Sequence, residues 1–187
     1  MAANLPPFVR GQGGSAIASY NWKDILQNAG YVTVYGTASS VLFYLTPEVI
    51  VGFPTYSDAA DHLEVNFDMT FNVPAYVQGD ALITCVSQGL TNPHYAVATI
   101  YHVDLAAAET SLGTYSYSAS PQAGGTDWTW SFNIPITGKH FSIGEKIRLS
   151  INLDHSAGAT TVRLYHEPST AGPKCPVFHI PFRIDLS

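Results

Sequence analysis

Seven histidines, fourteen carboxylates, two cysteines and one Gly13-Gly14-Ser15 string are the side chains of this chain that could do chemistry. A serine nucleophile on a strand–helix elbow needs G-x-S-x-G, which is absent, and Gly13-Gly14-Ser15 has no base beside it in sequence. Neither a phosphate-cradling G-x-x-x-x-G-K-[ST] nor a dinucleotide G-x-G-x-x-G occurs. The histidines (His62, His94, His102, His140, His155, His166, His179) form no H-x-H pair and no i, i+4 pair on a helix, so zinc-ligand spacing is missing. His94 and His102 share strand parity but lie roughly 26 Å apart on an extended chain. A cupin-like site would have to assemble His102, His166, His179 and Glu167 across strands. Asp58, Asp61 and Glu64 beside His62 supply three carboxylates for a calcium loop but lack the D-x-D-x-D-G rhythm. Tyr115, Tyr117, Trp128 and Trp130 could stack on a sugar, yet Trp128 and Trp130 alternate onto the same face as Phe132 and Ile134, which favours core packing. No catalytic, cofactor-binding or metal-binding residue is assigned, and the expectation is a protein that is not an enzyme.

The elements around these residues are strands. Leu63, Val65, Phe67, Met69 and Phe71 alternate with Glu64, Asn66, Asp68, Thr70 and Asn72, one face apolar and the other polar, as a half-buried strand requires. The same period runs through 31–35, 41–45, 47–53, 81–87, 95–103, 110–118, 128–136, 147–153, 161–166 and 177–186, with Gly79-Asp80 as a turn and Pro135 marking an edge or a strand end. One-sided alternation predicts antiparallel sheets on a shared core: an all-β, jelly-roll-like sandwich of about ten strands over residues 19–187. Before it, residues 1–18, with Pro6-Pro7 and the glycines, form an extended arm. The spacing of Trp22, Ile25 and Leu26, closed by Gly30, predicts one short helix over 21–29.

Composition excludes several classes. Of 187 residues only 12% are charged, where roughly 25% is usual. Eight Lys and Arg are too few for a nucleic-acid stripe. No run of about 18 apolar residues exists to cross a membrane as a helix. The charge is also segregated. From Asp24 to Gly138 there is no Lys or Arg against ten acids, whereas 139–187 holds six of the eight cations, which predicts an acidic surface meeting a basic one. Cys85 and Cys175 are expected as unpaired thiols, since two cysteines make no disulfide framework. The N-terminus has no signal-peptide pattern, so synthesis in a cytoplasm is expected.

Several motifs carry a family resemblance. The string Thr137–Leu149 (TGKHFSIGEKIRL), then Leu164–Pro168 (LYHEP) and Ile180–Leu186 (IPFRIDL), preceded by Tyr20–Ile25 (YNWKDI) and Gly30-Tyr31, resembles a group of tailed-phage virion proteins, the capsid decoration or cement proteins. The resemblance implies a non-enzymatic virion component that binds and stabilises the major capsid protein, or another virion protein, as a homotrimer without nucleic acid, membrane or cofactor. The alternative is a tail-associated or fibre module that recognises a host surface glycan. The motifs themselves are structural: Ile143-Gly144-Glu145 is a turn launching a strand, with glycine supplying an unusual φ.

Overall fold

The structure, a computed structural model, describes residues 29–38, 43–46, 56–58, 62–155, 161–166 and 175–183. The expected arm 1–18, the run 47–53 and nearly all of the expected helix 21–29 lie outside these. Ala29 and Gly30 are described, and both are already in strand. There Gly30 pairs with Phe182.

Eleven strands are described: β1 (Ala29–Ala38), β2 (Phe43–Thr46), β3 (Tyr56–Asp58), β4 (His62–Thr70), β5 (Ala75–Gly89), β6 (His94–Val103), β7 (Glu109–Ser116), β8 (Asp127–Phe141), β9 (Lys146–His155), β10 (Val162–Leu164) and β11 (Val177–Arg183). They build a jelly-roll-like sandwich. One sheet runs β8-β5-β11-β1, with β10 and β3 continuing at the far end of β5; the other runs β4-β9-β6-β7. Every pairing is antiparallel except the single parallel bridge Tyr44↔Asp68, through which β2 joins the sheets.

Alternation decides which side chains meet between the sheets. In the first, Val34, Phe178, Ile83 and Phe132 form one cross-strand rung, and all four are buried. In the second, Phe67, Leu149 and Ile100 form the facing kind of rung, equally buried. Each fully buried Phe, Leu or Ile of this kind contributes about 1.5–3 kcal/mol. The long ladder between the fifteen-residue strands β5 and β8 runs from Ala75↔Phe141 to Gln88↔Asp127. Gly79 does not turn the chain, as expected, but sits at a register irregularity within β5 at φ +122°, a conformation that costs glycine little. Pro135 lies mid-strand in β8, which pairs only with β5, so the missing N–H falls on an edge.

The segregated charge meets inside one sheet. Strand β9, from the cation-bearing C-terminal part, is inserted between β4 and β6, both from the stretch without cations. Arg148 on β9 holds Asp68 of β4 through two bonds (Nε–Oδ1 2.6 Å, Nη2–Oδ2 2.9 Å) and also donates to Glu109 of β7. Lys146 adds a looser pair with Asp68 at 3.5 Å. The Asp68 carboxylate is the main reason that the Arg148 guanidinium is held above its ordinary pKa. Arg148→Ala leaves two half-exposed carboxylates without their bonded cation and should lower unfolding free energy by about 2 kcal/mol. Arg148→Lys should recover less than half, because an ammonium cannot form the fork. Urea melts of the three proteins measure this, and equal stability of Arg148→Lys and the parent would refute it.

Candidate functional site

A serine and a histidine stand within hydrogen-bond distance at the end of the sandwich where β5 turns into β6. Ser87 follows Ala81, Ile83 and Cys85 on the inner face of β5. Trp130 of β8 donates Nε1–H to Ser87 Oγ at 2.6 Å. Ser87 Oγ lies 2.9 Å from His94 Nε2. The indole can only donate, so the hydroxyl accepts from Trp130, and its second lone pair or its proton serves His94 Nε2. The ring meets Trp130 edge-on with centroids 5.6 Å apart, and the His94 backbone exchanges both hydrogen bonds with Gln122. Burial holds the His94 pKa below its ordinary value, opposed by the Gln122 carbonyl.

This pair has two members of a nucleophile–base–acid relay but not its working geometry. Both residues are at 0% exposure, so no substrate carbonyl reaches Oγ, and among the described residues no carboxylate is bonded to His94. The cluster fastens β5, β6 and β8.

The opposite end of the sandwich holds a carboxylate–imidazole pair. His102 is the last inward residue of β6, and its Nε2 lies 3.0 Å from Glu145 Oε2. Glu145 Oε2 also accepts the Ser142 amide at 2.7 Å, and this amide, followed by His102, keeps the carboxyl below its usual pKa. Gly144, at φ +89°, donates to the Phe71 carbonyl at 2.8 Å, confirming the left-handed glycine that the sequence implies. His102 stands edge-on to Phe141 at 5.0 Å. A general base needs its imidazole open to substrate, and His102 is only 5% exposed. Among the described residues no serine, threonine or cysteine side chain is bonded to it.

The residues singled out in the sequence are not brought together. His102 faces inward at one end, whereas His166 follows β10 at the other, buried, and His179 lies on the outer face of β11 with Nδ1 2.8 Å from Thr33 Oγ1. Glu167, Asp61 and Gly13-Gly14-Ser15 lie outside the described residues. Glu64 turns outward to Ser150 (3.2 Å) and lies 3.9 Å from His62. No group of three or more His, Cys, Asp or Glu that could hold a metal occurs among the described residues. Tyr117 packs on Trp130 and Phe132 (5.3 and 5.4 Å), and Trp130 is buried in the core, as the alternation implies. The Ser87–His94–Trp130 and His102–Glu145 clusters escaped the sequence reading. Their only sequence signal is a polar residue at an inward position of a strand.

The two outer faces differ sharply. On β4-β9-β6-β7 the outward rungs are Asp68–Arg148–Tyr101–Ser111, Asn66–Ser150–Thr99–Thr114 and Glu64–Asn152–Val97–Ser116, with Lys146, Glu109 and Asp154 beside them. That face is charged. On β1-β11-β5-β8 the two central outward rungs, Thr33–His179–Leu82–Asn133 and Tyr35–Val177–Thr84–Ser131, hold no Asp, Glu, Lys or Arg, and charge stands only beyond them, at Asp80 and on the Arg163–Gln88–Asp127 rung.

No protein-family model matches the chain, and no characterised relative matches it by sequence. Its fold does match solved structures. A CocE/NonD family hydrolase from Staphylococcus aureus superposes with TM-score 0.64 at 12% identity, over 83% of this chain and 37% of that one. An aminopeptidase from the marine sediment archaeon Thaumarchaeota archaeon gives 0.61 at 11%, over 84% and 37%. An α-amino acid ester hydrolase gives 0.57 at 12%, over 82% and 36%. At these identities the shared property is the fold, and this chain spans little more than a third of each of those proteins. VP2 of the infectious bursal disease virus subviral particle matches only at TM-score 0.41, too loosely to carry an argument.

These matches correct the expectation of a non-enzymatic capsid cement protein, together with its glycan-binding alternative. The chains that share this sandwich at TM-scores of 0.57–0.64 are named as hydrolases and an aminopeptidase. The physical reason lies in the motifs. TGKHFSIGEKIRL is the end of β8, its turn and the start of β9; LYHEP leaves β10; IPFR lies in β11. They record how strands turn and close, and strand geometry recurs in sandwiches of unrelated function.

Two expectations follow. Cys85 and Cys175 are both free and buried, and burial pushes their thiols up to about 12 and about 11. A thiol titration with a disulfide reagent at pH 8 should therefore find both silent in the native protein and both reactive in denaturant; native reactivity at either would contradict this. For His94 the folded-state pKa is depressed, so the unfolded chain takes up a proton near pH 6.5 that the folded chain resists. The stabilising contribution is complete above that pH and is lost as the pH falls below it. His94→Gln should flatten the difference in unfolding free energy between pH 7.5 and 5.5, and an unchanged difference would show that His94 does not titrate in this way.

Proposed function

We propose that this chain is the β-sandwich unit of a hydrolase assembly organised like the CocE/NonD family and aminopeptidase structures, and that a separate catalytic unit supplies the nucleophile. The single observation that carries the reading is the match over 82–84% of this chain with only 36–37% of those proteins. Its corollary is that the larger remainder of such an enzyme has no counterpart here. The site geometry is compatible: Ser87–His94 is sealed, and among the described residues no serine, threonine or cysteine side chain is bonded to His102–Glu145. The reaction class is transfer of an acyl group to water from an ester or an amide.

The chain, tagged and isolated with its native assembly, should co-purify with hydrolysis of p-nitrophenyl esters or aminoacyl p-nitroanilides. A fluorophosphonate probe should label a serine outside residues 1–187. An assembly inactive on both substrate classes and unlabelled by the probe would refute the reading. The virion location expected from the C-terminal motifs rests on those motifs, and we propose it as the setting of this assembly. Quantitative mass spectrometry of purified particles tests it, and absence of the chain from particles would remove it.

A further inference from the structure

We propose that the apolar tip at the Glu145 end of the sandwich is the docking site of the chain's own segment 21–28, whose Trp22, Ile25 and Leu26 cover Leu105, Ile143 and Val73. The proposal does not depend on the hydrolase reading.

It starts from three turns that meet at this end: β4–β5, β6–β7 and β8–β9. The Phe71 amide donates to the Glu145 carbonyl at 2.9 Å and the Phe71 carbonyl accepts from Gly144 at 2.8 Å. A Cβ placed on Gly144 would stand 3.0 Å from Leu105 Cδ2. The outermost side chains of these turns are apolar. Leu105 is 72% exposed, Ile143 60% and Val73 37%, and Pro74 and Ala106 to Ala108 are exposed beside them. The carboxylates of the same turns point back into them. Asp104 Oδ1 accepts the Ala106 and Ala108 amides, both at 2.8 Å, while Glu145 accepts the Ser142 amide and faces His102. Ala107 is held at φ +63°, left-handed backbone that alanine seldom adopts. Leu105 is thus displayed on a fixed turn, a contact organised in advance of its occupant.

What covers the tip follows from where the chain enters the sandwich. Ala29, Arg183, Tyr76 and His140 lie on one cross-strand rung, and Ala75–Phe141 is the next step towards the turns. Residues 1–28, outside the described residues, therefore lead into β1 at this end. Tyr76 stands two strand spacings of about 4.8 Å from Ala29, with Val73 three residues further, so the near side of the tip lies within roughly 20 Å. The seven residues from Trp22 to Ala29 span up to about 23 Å. The sequence puts Trp22, Ile25 and Leu26 on one side of a short helix, and such a stripe needs an apolar surface to bury against. Area favours this occupant over a second copy. A handful of loop-tip side chains falls short of the roughly 800 Å² per partner of a standard interface. A tethered segment acts at an effective concentration on the order of millimolar and needs less.

The test reads Trp22 fluorescence in the full chain, as the difference between the parent and Trp22→Phe. In the parent this signal should lie to the blue of free tryptophan and resist acrylamide quenching. Leu105→Asp should raise the undocked fraction about tenfold, seen as a red shift and stronger quenching with unchanged circular dichroism. Ile143→Asp should act in the same direction, whereas Leu82→Asp, on the outer face of β5, should leave the signal as it was. Thermal midpoints close the cycle: Trp22→Ser and Leu105→Asp should each lower the midpoint, and the double variant should fall little below the lower single. A Trp22 signal already red and fully quenched in the parent overturns the proposal, as does one indifferent to Leu105→Asp and Ile143→Asp, or additive midpoints. A blue signal lost on dilution from about 100 to 1 μM would assign the contact to a second copy, and this too overturns it.

Discussion

Everything in this protein depends on two sheets having one apolar face each and no stable option except to bury them against one another. The rung Val34–Phe178–Ile83–Phe132 and its counterpart through Phe67, Leu149 and Ile100 are the direct result of period-two alternation. Once those faces meet, strand register is fixed, because a slip of one residue would turn every Ile and Phe to water. The polar clusters are then positioned by the same register. Ser87 and His102 face inward because their strand neighbours two residues away do, and each stands beside a polar partner, His94 at 2.9 Å and Glu145 at 3.0 Å.

Much of this was legible in the residues. Strands β4, β6 and β9 match their alternating runs nearly end to end, since their apolar residues are separated by polar ones without exception or by small alanines that fit under the opposite sheet. Less legible was whatever depends on pairing between distant segments. Gly30 looked like a helix stop, but Phe182, more than 150 residues later, pairs with it. Gly79 looked like a turn, but β8 runs alongside both of its flanks and turns it into an irregularity of one long strand. The two polar clusters were invisible for the same reason: Ser87 and Trp130 are 43 residues apart, His102 and Glu145 likewise belong to different elements, and no local spacing announces either pair.

Function was less legible than fold, and the error has a physical explanation. The motifs behind the virion resemblance fall on a strand end, a glycine turn and a closing strand, where selection acts on geometry. Such positions report the architecture a chain adopts and are silent on the surface it uses. The charge pattern proved more informative. A segregation that spans 115 residues of sequence is answered, after folding, inside one sheet, where β9 carries cations into the midst of acids.

The position of Pro135 reaches beyond the strand that contains it. An exposed fifteen-residue edge would otherwise be a template on which any extended chain could crystallise backbone to backbone. Proline offers such a newcomer no amide at the middle of β8, and the Tyr117 hydroxyl, donating to the Ser131 carbonyl at 2.5 Å, occupies an acceptor a few residues away. The border of the sheet is thereby a poor template for growth of the sheet itself, the hazard that every long edge strand carries.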